Sequence, residues 1–454
     1  MNNKMKKIIT LITLLVFTTN YATDRLVDPT LSSGNGTTIF TTITAAINAA
    51  VNGDRIIIAS NTYNEAALTI GKSLQIMPQT PGTIINFNAN ITISGFPGMK
   101  LEIIGVNIGI YSISSNEIVA GSPNNRSKIT IINCSAQYLD FNKNYYGVNI
   151  LDNNISKGIV FRYGNVVKNI TKQISLLDEP LDNLNTSEKN LIIANQVTYL
   201  IGVSNNDYPL IVANNILRDL SILRWNANSQ LKNTISNNQF TNDAILHFST
   251  KDVPYYNIIF TSNKFDNDFS MAKSDSVNTQ CYSTDINRWD GQGPFSYHSW
   301  MPSWSWCCGV GGTLGWYAAG AETPTRPPDF YPGGTYWTPN GSFSYLNNNT
   351  PGFFEFSFNG ILGNFTIPTS GSALNLTNIA GPTNDIDGGN PNHSFYDLDL
   401  TINDRGVNGG PYSHLNYNAT NPNNSKAFIF DLDMPTDLFP TQTVDIKAKG
   451  YHKN

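Results

Sequence analysis

Near the C-terminal end of this 454-residue chain, Asp397, Asp399, Asn403 and Asp404 fall at a spacing that could hold a cation. Alternating carboxylate and amide oxygens are what a Ca²⁺ loop presents, although no bidentate Glu follows and no Gly marks the sharp turn. The same side chains would cap backbone N–H groups in a tight turn, and that use is the better match. Ca²⁺ is the one cofactor the pattern admits. A second group is aromatic: Trp300, Trp304, Trp306, Trp316 and Trp337, set among Gly, Pro and Tyr. Trp304 and Trp306 alternate, so on a strand they share a face, as a sugar-stacking platform requires; the competing use is a core for a sheet-poor segment. Charged groups elsewhere are sparse. Glycoside hydrolysis needs two carboxylates flanking the bond. Asp140, Asp152, Asp207, Asp243 and Asp252 stand singly among neutral residues. Arg218, Asp219 and Arg224 read as an exposed ion-pair patch, and no catalytic residue is assigned. His247, His298, His393, His414 and His452 show no zinc-ligand spacing with one another or with Cys.

The elements that would position these groups are written in a repeat. An apolar run, an asparagine pair or near-pair and another apolar run recur at Thr130–Ser135, Ile150–Ser156, Leu191–Thr198, Leu210–Leu217, Thr234–Phe240 and Ile259–Phe265. Taking the second position of each pair as the marker, the steps are 19 to 25 residues, with one double step of 42 in which a copy near Val166 to Leu177 is degenerate. Short β-rich runs at this period are the signature of a solenoid whose coils bury their apolar faces against one another. Asparagine suits the corner because it tolerates left-handed backbone, and stacked amides can bond coil to coil. The chain holds 61 Asn. Asn133, Asn154, Asn215, Asn238 and Asn263 are therefore expected along one edge of successive coils.

Lys4, Lys6 and Lys7 precede an apolar run from Ile8 to Phe17 that is too short to span a bilayer. This reads as a secretory signal peptide over residues 1–22, so the mature chain is expected outside the cytoplasm with no transmembrane segment. In that compartment a disulfide is expected. Cys307 and Cys308 are adjacent, with Cα atoms about 3.8 Å apart, below the usual disulfide range, so Cys281 is the partner expected for one of them. Charged residues make up 13% of the chain and the formal net charge is −5. That speaks against a nucleic-acid partner, which requires a clustered basic face.

Ile39, Ile43, Ala46, Ile47 and Ala50 fall at helical spacing, predicting a helix over Thr41 to Val51 that ends near Gly53. A buried strand follows over Asp54 to Ser60, then Thr62-Tyr63-Asn64-Glu65 and Lys72-Ser73-Leu74-Gln75-Ile76. This order resembles the N-terminal end of secreted bacterial right-handed parallel β-helix proteins of the pectate-lyase-like superfamily, in which a short helix covers the first coil. The resemblance spans about residues 38 to 265 and implies the fold, not an activity. The segment Asp387 to Pro411 similarly resembles a closing segment of exported bacterial β-helix proteins, with Leu400 and Arg405 departing from its pattern.

The expected architecture is all-β: a right-handed parallel β-helix over 23–280 with an N-terminal helical cap, a Trp/Cys-rich insertion over 281–349, closing β segments over 350–411 and a small C-terminal β extension over 412–454. The leading functional expectation is an exported, non-catalytic scaffold or adhesin-like protein of a bacterial surface, binding glycan or a cell-surface protein partner. The alternative is a polysaccharide lyase or glycoside hydrolase acting in a groove along the helix.

Overall fold

A computed structural model describes residues 22–117, 125–143, 145–177, 189–204, 208–223, 233–241, 244–249, 257–267, 269–274, 353–361, 365–366, 374–377, 385–397, 399–414, 427–433 and 447–452. Residues 1–21 and 281–349 lie outside these, and with them the signal peptide, Cys281, Cys307, Cys308, Trp300, Trp304, Trp306, Trp316 and Trp337.

The chain winds as a parallel β-helix. Each coil gives one strand to a 14-stranded sheet, turns a corner, and gives one or two strands to a 17-stranded sheet. One such coil runs Ser127–Ile132, then Ser135–Asp140, and the next begins at Tyr146–Leu151, paired in parallel with Ser127–Ile132. β-branched residues dominate these strands because their stiff side chains suit a pleated, half-buried surface. Alternation points Ile129 and Ile131 inward and Lys128 and Thr130 outward. The core between the sheets is a stack of Ile, Val, Leu and Phe. Toward the later coils Phe240 lies face to face with Phe265, 4.5 Å between centroids.

Asn257–Thr261 pairs residue for residue with Phe353–Ser357, and Lys264–Phe265 with Gly360–Ile361. Residues 275–352 are thus inserted between two successive coils. Ala427–Asp433 and Lys447–His452 form a separate antiparallel pair, the C-terminal β extension. Among the described residues no helix is long and apolar enough to cross a membrane.

The helical cap is Ile43–Ala49, shorter at both ends than its periodicity predicts. Thr42 Oγ1 accepts from Ala45 N–H, and Ile43, Ala46 and Ile47 are buried. A seven-residue helix is marginal alone, and the next coil holds both its ends. The Glu65 carboxylate accepts from the N–H groups of Ile43 (2.7 Å) and Thr44 (2.9 Å). Lys72 Nζ donates to the carbonyls of Ile47, Asn48 and Ala50 at 2.7–2.9 Å. Anion at the N-terminus and cation at the C-terminus both oppose the helix dipole. Asp54 is fully buried, where it pairs with Arg25 (2.7 Å) and accepts from Thr23 and Val51 N–H groups. The residues that carry the N-terminal resemblance are thus the ones that fasten the cap.

An amide ladder runs along the corner between the two sheets. Its members are Asn153, Asn169, Asn195, Asn215, Asn238, Asn263 and Asn359, each with Nδ2 donating to Oδ1 of the next at 2.9–3.0 Å. The same Oδ1 accepts the preceding member's backbone N–H, as in Asn195 N to Asn215 Oδ1 at 3.0 Å. Nδ2 also donates to a carbonyl of the preceding coil, as in Asn215 to Ile192 O at 2.8 Å. Asn215, Asn238 and Asn263 stand in this row as expected. Asn133 and Asn154 do not: the slots fall on Cys134 and Asn153, and Asn169, Asn195 and Asn359 belong to the row as well.

The physical reason for this register is that the corner has two positions with different demands. The left-handed position, φ 51–58°, holds Asn133, Asp152, Lys168, Ala194, Asn214, Asn237, Ser262 and Phe358 in turn. That conformation costs an ordinary L-residue about 1–2 kcal/mol, and almost any side chain is accepted. The following position is buried and must donate and accept together, which only a primary amide does well. Cys134 imitates it with sulfur. Its Sγ accepts from Val106 N–H at 3.4 Å and faces the carbonyls of Ile132 (3.2 Å) and Ile103 (3.7 Å), while its N–H donates to Asn153 Oδ1. Burial pushes this thiol up to about 12, so it stays protonated.

Asn215→Ala leaves buried donors on Asn195 unpaired and is expected to cost about 3 kcal/mol. Cys134→Asn extends the ladder by one rung and is expected to stabilise by about 1 kcal/mol. Denaturant midpoints of the two variants measure both; a Cys134→Asn protein as unstable as Asn215→Ala would refute the equivalence of the two slots.

Candidate functional site

Two surface features depart from the regular coil, and the first is a row of bulges on the outer face of the 17-stranded sheet. Register shifts occur between Ala136 and Tyr138, Ile155 and Gly158, Thr171 and Gln173, and Val197 and Leu200. A bulge bends the strand and re-aims side chains. Here the bulges align coil upon coil, and at or directly beside them stand Tyr138, Lys157, Lys172, Tyr199 and Arg218. Lys157 Nζ sits 5.4 Å from the Tyr138 ring centroid; Lys172 Nζ and the Arg218 guanidinium sit 5.9 and 5.7 Å from that of Tyr199. The result is a strip of three cations interleaved with two phenol rings. Asp219 lies buried beneath Arg218 at 2.8 Å. Arg218 and Asp219 pair as the sequence suggests, but Asp219 is buried where an exposed patch was expected; Arg224 lies outside the described residues.

The second feature is a groove along the left-handed corners. The closing segment, 385–414, folds back over the later corners and reads them with backbone groups. Asn214 Nδ2 donates to Val407 O (3.0 Å) and Gly409 O (2.5 Å), and Asn237 Nδ2 to Asp404 O (2.7 Å). Gly406 N–H donates to Ser262 O (2.9 Å) and Arg405 Nε to Phe358 O (2.8 Å). Asn403 and Asn237 pair amide to amide, Nδ2 to Oδ1, at 2.7 and 3.2 Å. The segment's last described residue, His414, reaches the edge of the earlier corners. Beyond it the groove opens into a cavity of about 420 Å³, lined among others by Asn133, Asn154, Asp152, Lys168, Ala194, Gln196, Ile84 and Ile170. Lys168 Nζ and Asp152 Oδ1 pair at 3.3 Å. Asn133 and Asn154, expected in the ladder, thus face a surface cavity.

The acidic cluster serves turns. Asp397 accepts from Asp404 N–H (3.2 Å) and Gly410 N–H (2.5 Å), Asp399 from Thr401 N–H and Oγ1, and Asp404 from Asp387 N–H. Asn403 is buried and turned toward Asn237, away from these carboxylates. Among the described residues no group of three or more His, Cys, Asp or Glu is placed to hold a metal ion. Where a cation would sit, the oxygens of Asp397, Asp399 and Asp404 are engaged by separate backbone turns.

Sequence reasoning missed both surface features. The bulged row has no periodic signal, since its charged residues lie one or two positions off the strand alternation. His414 was set aside for lack of a metal partner. No family model, no curated protein and no solved structure matches the chain.

Burial lowers the His414 imidazole from its ordinary 6.5 to about 4, partly offset by a bond to the Asn214 backbone, so the ring is neutral near pH 7. A depressed histidine contributes stability that is full above 6.5 and falls as pH drops toward 4. The loss is on the order of 2–3 kcal/mol across that window. Asp397, raised first by burial, acts with the opposite sign, within the carboxylate range. The protection factor of the Gly406 amide, its exchange rate divided into the intrinsic rate at the same pH, is therefore expected to fall between pH 6.5 and 4.5. In His414→Gln that dependence should flatten; the same pH profile in both proteins would remove His414 as its source.

Proposed function

We propose that this protein is an exported bacterial surface scaffold that binds an extended acidic glycan across successive coils. The observation that carries the reading is the bulged row Tyr138, Lys157, Lys172, Tyr199 and Arg218. Stacked strands lie about 4.8 Å apart, so the row offers a cation or a ring at each of several consecutive steps along the axis. A linear polymer of uronate or sulfated sugars has the matching features: repeated anions, and apolar C–H faces that lie on phenol rings. Each exposed cation contributes modestly and is screened by salt, so affinity would come from several contacts at once. The Lys-rich start followed by the apolar run of Ile8 to Phe17 supports export, and the two motif resemblances support a bacterial β-helix lineage. Protein of the net charge −5 gains little from non-specific attraction to anions, which makes a localised basic strip the more telling.

The test is affinity electrophoresis and titration calorimetry with oligogalacturonates and alginate oligomers, beside neutral malto-oligosaccharides and duplex DNA, with product analysis on the same samples. Binding of an acidic oligomer is expected, weakening with salt, and about 5–10-fold weaker in Lys172→Ala and in Tyr199→Ala. Affinity indifferent to both substitutions, or preference for DNA, would sink the glycan reading. Release of shortened or unsaturated products would instead establish a polysaccharide hydrolase or lyase.

A further inference from the structure

The corner cavity lies where the strands of the bulged row begin, two or three residues before Lys157, Lys172 and Tyr199, and is lined by none of the residues of that row. We propose that it is a separate site for a compact, neutral saccharide of one or two rings.

Four observations converge on that class of ligand. The first is size and closure. About 420 Å³ lies within the range of small-molecule pockets, roughly 300–1,000 Å³. Ile84, from an earlier coil, stands at one end and His414, from the closing segment, at the other. A polymer running along the corner row would meet the closing segment, so the cavity suits a compact ligand or a chain end.

The second is charge. Among the described residues the charged side chains in the lining are Lys168 and Asp152, which neutralise each other at 3.3 Å. A charged ligand would have to break that pair. The third is the chemistry of the remaining lining. Asn133, Asn154 and Gln196 each present a donor and an acceptor side by side. Two adjacent ring hydroxyls match that pattern. Ile170 and Ile84 are 52% and 37% exposed there, apolar surfaces against which the C–H face of a ring can rest.

The fourth is the histidine. One nitrogen of His414 bonds the Asn214 backbone. Its Nε2 is buried and has no hydrogen-bond partner among the described residues. A neutral imidazole that donates through one nitrogen is an acceptor at the other. His414 lines the cavity, and a turn of its ring would bring Nε2 to a ligand hydroxyl that supplies the donor.

The experiment is saturation-transfer NMR and calorimetry on the full chain with glucose, galactose, mannose, xylose and their β-linked disaccharides. Galacturonate and the tripeptide Ala-Val-Ala serve as charged and peptide rivals. One neutral sugar is expected to bind with Kd about 1 mM or tighter. Asn154→Ala, whose side chain is exposed, and Ile170→Trp, which fills the cavity, should each weaken it about tenfold with unchanged thermal melting, whereas Lys172→Ala on the bulged row should leave it unchanged. Loss in His414→Phe but not in His414→Gln would identify the acceptor. The proposal fails if no neutral sugar binds in this range, if the cavity variants bind as well as the parent, or if only galacturonate or the tripeptide binds. Failure here leaves the acidic-glycan reading standing, because that reading is tested by a different row of residues.

Discussion

From Asn153 to Asn359 the coils depend on one constraint: a buried primary amide at the corner must have all its donors and acceptors met. An isolated buried amide is destabilising by several kcal/mol. Stacked at coil spacing, each supplies what its neighbours need. The seven-member row from Asn153 to Asn359 does this with near-constant geometry, 2.9–3.0 Å from amide to amide. Because each amide also binds backbone of the coils beside it, the row locks vertical register, which apolar contact alone would leave free to slip. A single rung can be sulfur, as at Cys134, because a thiol can still accept from one coil and face the carbonyl of another.

The ladder's requirement for stacking creates a difficulty at each end, where a coil has no neighbour. At the start, a short helix covers the core, held by Glu65 and Lys72 of the following coil at its two poles. Toward the other end, the closing segment returns along the corner and binds the outward-facing left-handed residues. The two devices share a principle: backbone groups left without a strand partner are met by groups from another part of the chain. The carboxylates of Asp397, Asp399 and Asp404 belong to this economy of turns, each satisfying N–H groups of its own loop.

Regular coils leave the outer surface free to vary, and function is proposed where regularity breaks. The bulges gather cations and phenol rings on one side without disturbing the inward residues Ile155, Ile159, Val197 and Ile201, which remain buried. Among the described residues the closing segment covers the later corners, and the corner cavity lies beyond them. Neither feature requires any departure from the ladder, so both are tunable by surface substitution.

By itself the sequence determined the class of fold. Recurring apolar runs at about coil length, bounded by asparagine, leave few alternatives to a stacked β-solenoid, and the spacing of Ile43, Ala46 and Ile47 disclosed the cap. It also revealed that asparagine mattered at the corners, but not which one. In Asn214-Asn215 and Asn237-Asn238 the two positions are chemically identical, and in Asn133-Cys134 the visible asparagine is the left-handed residue while the ladder slot is a cysteine. Only tertiary stacking distinguishes a residue that turns the chain from one that bonds to the coils above and below. The same holds for the surface. Lys157 and Lys172 are fifteen residues apart in sequence, and Ile84 and His414 lie at opposite ends of the chain. Their proximity is decided by coil register and by where the closing segment lands, which are properties of packed neighbours and not of any local run of residues.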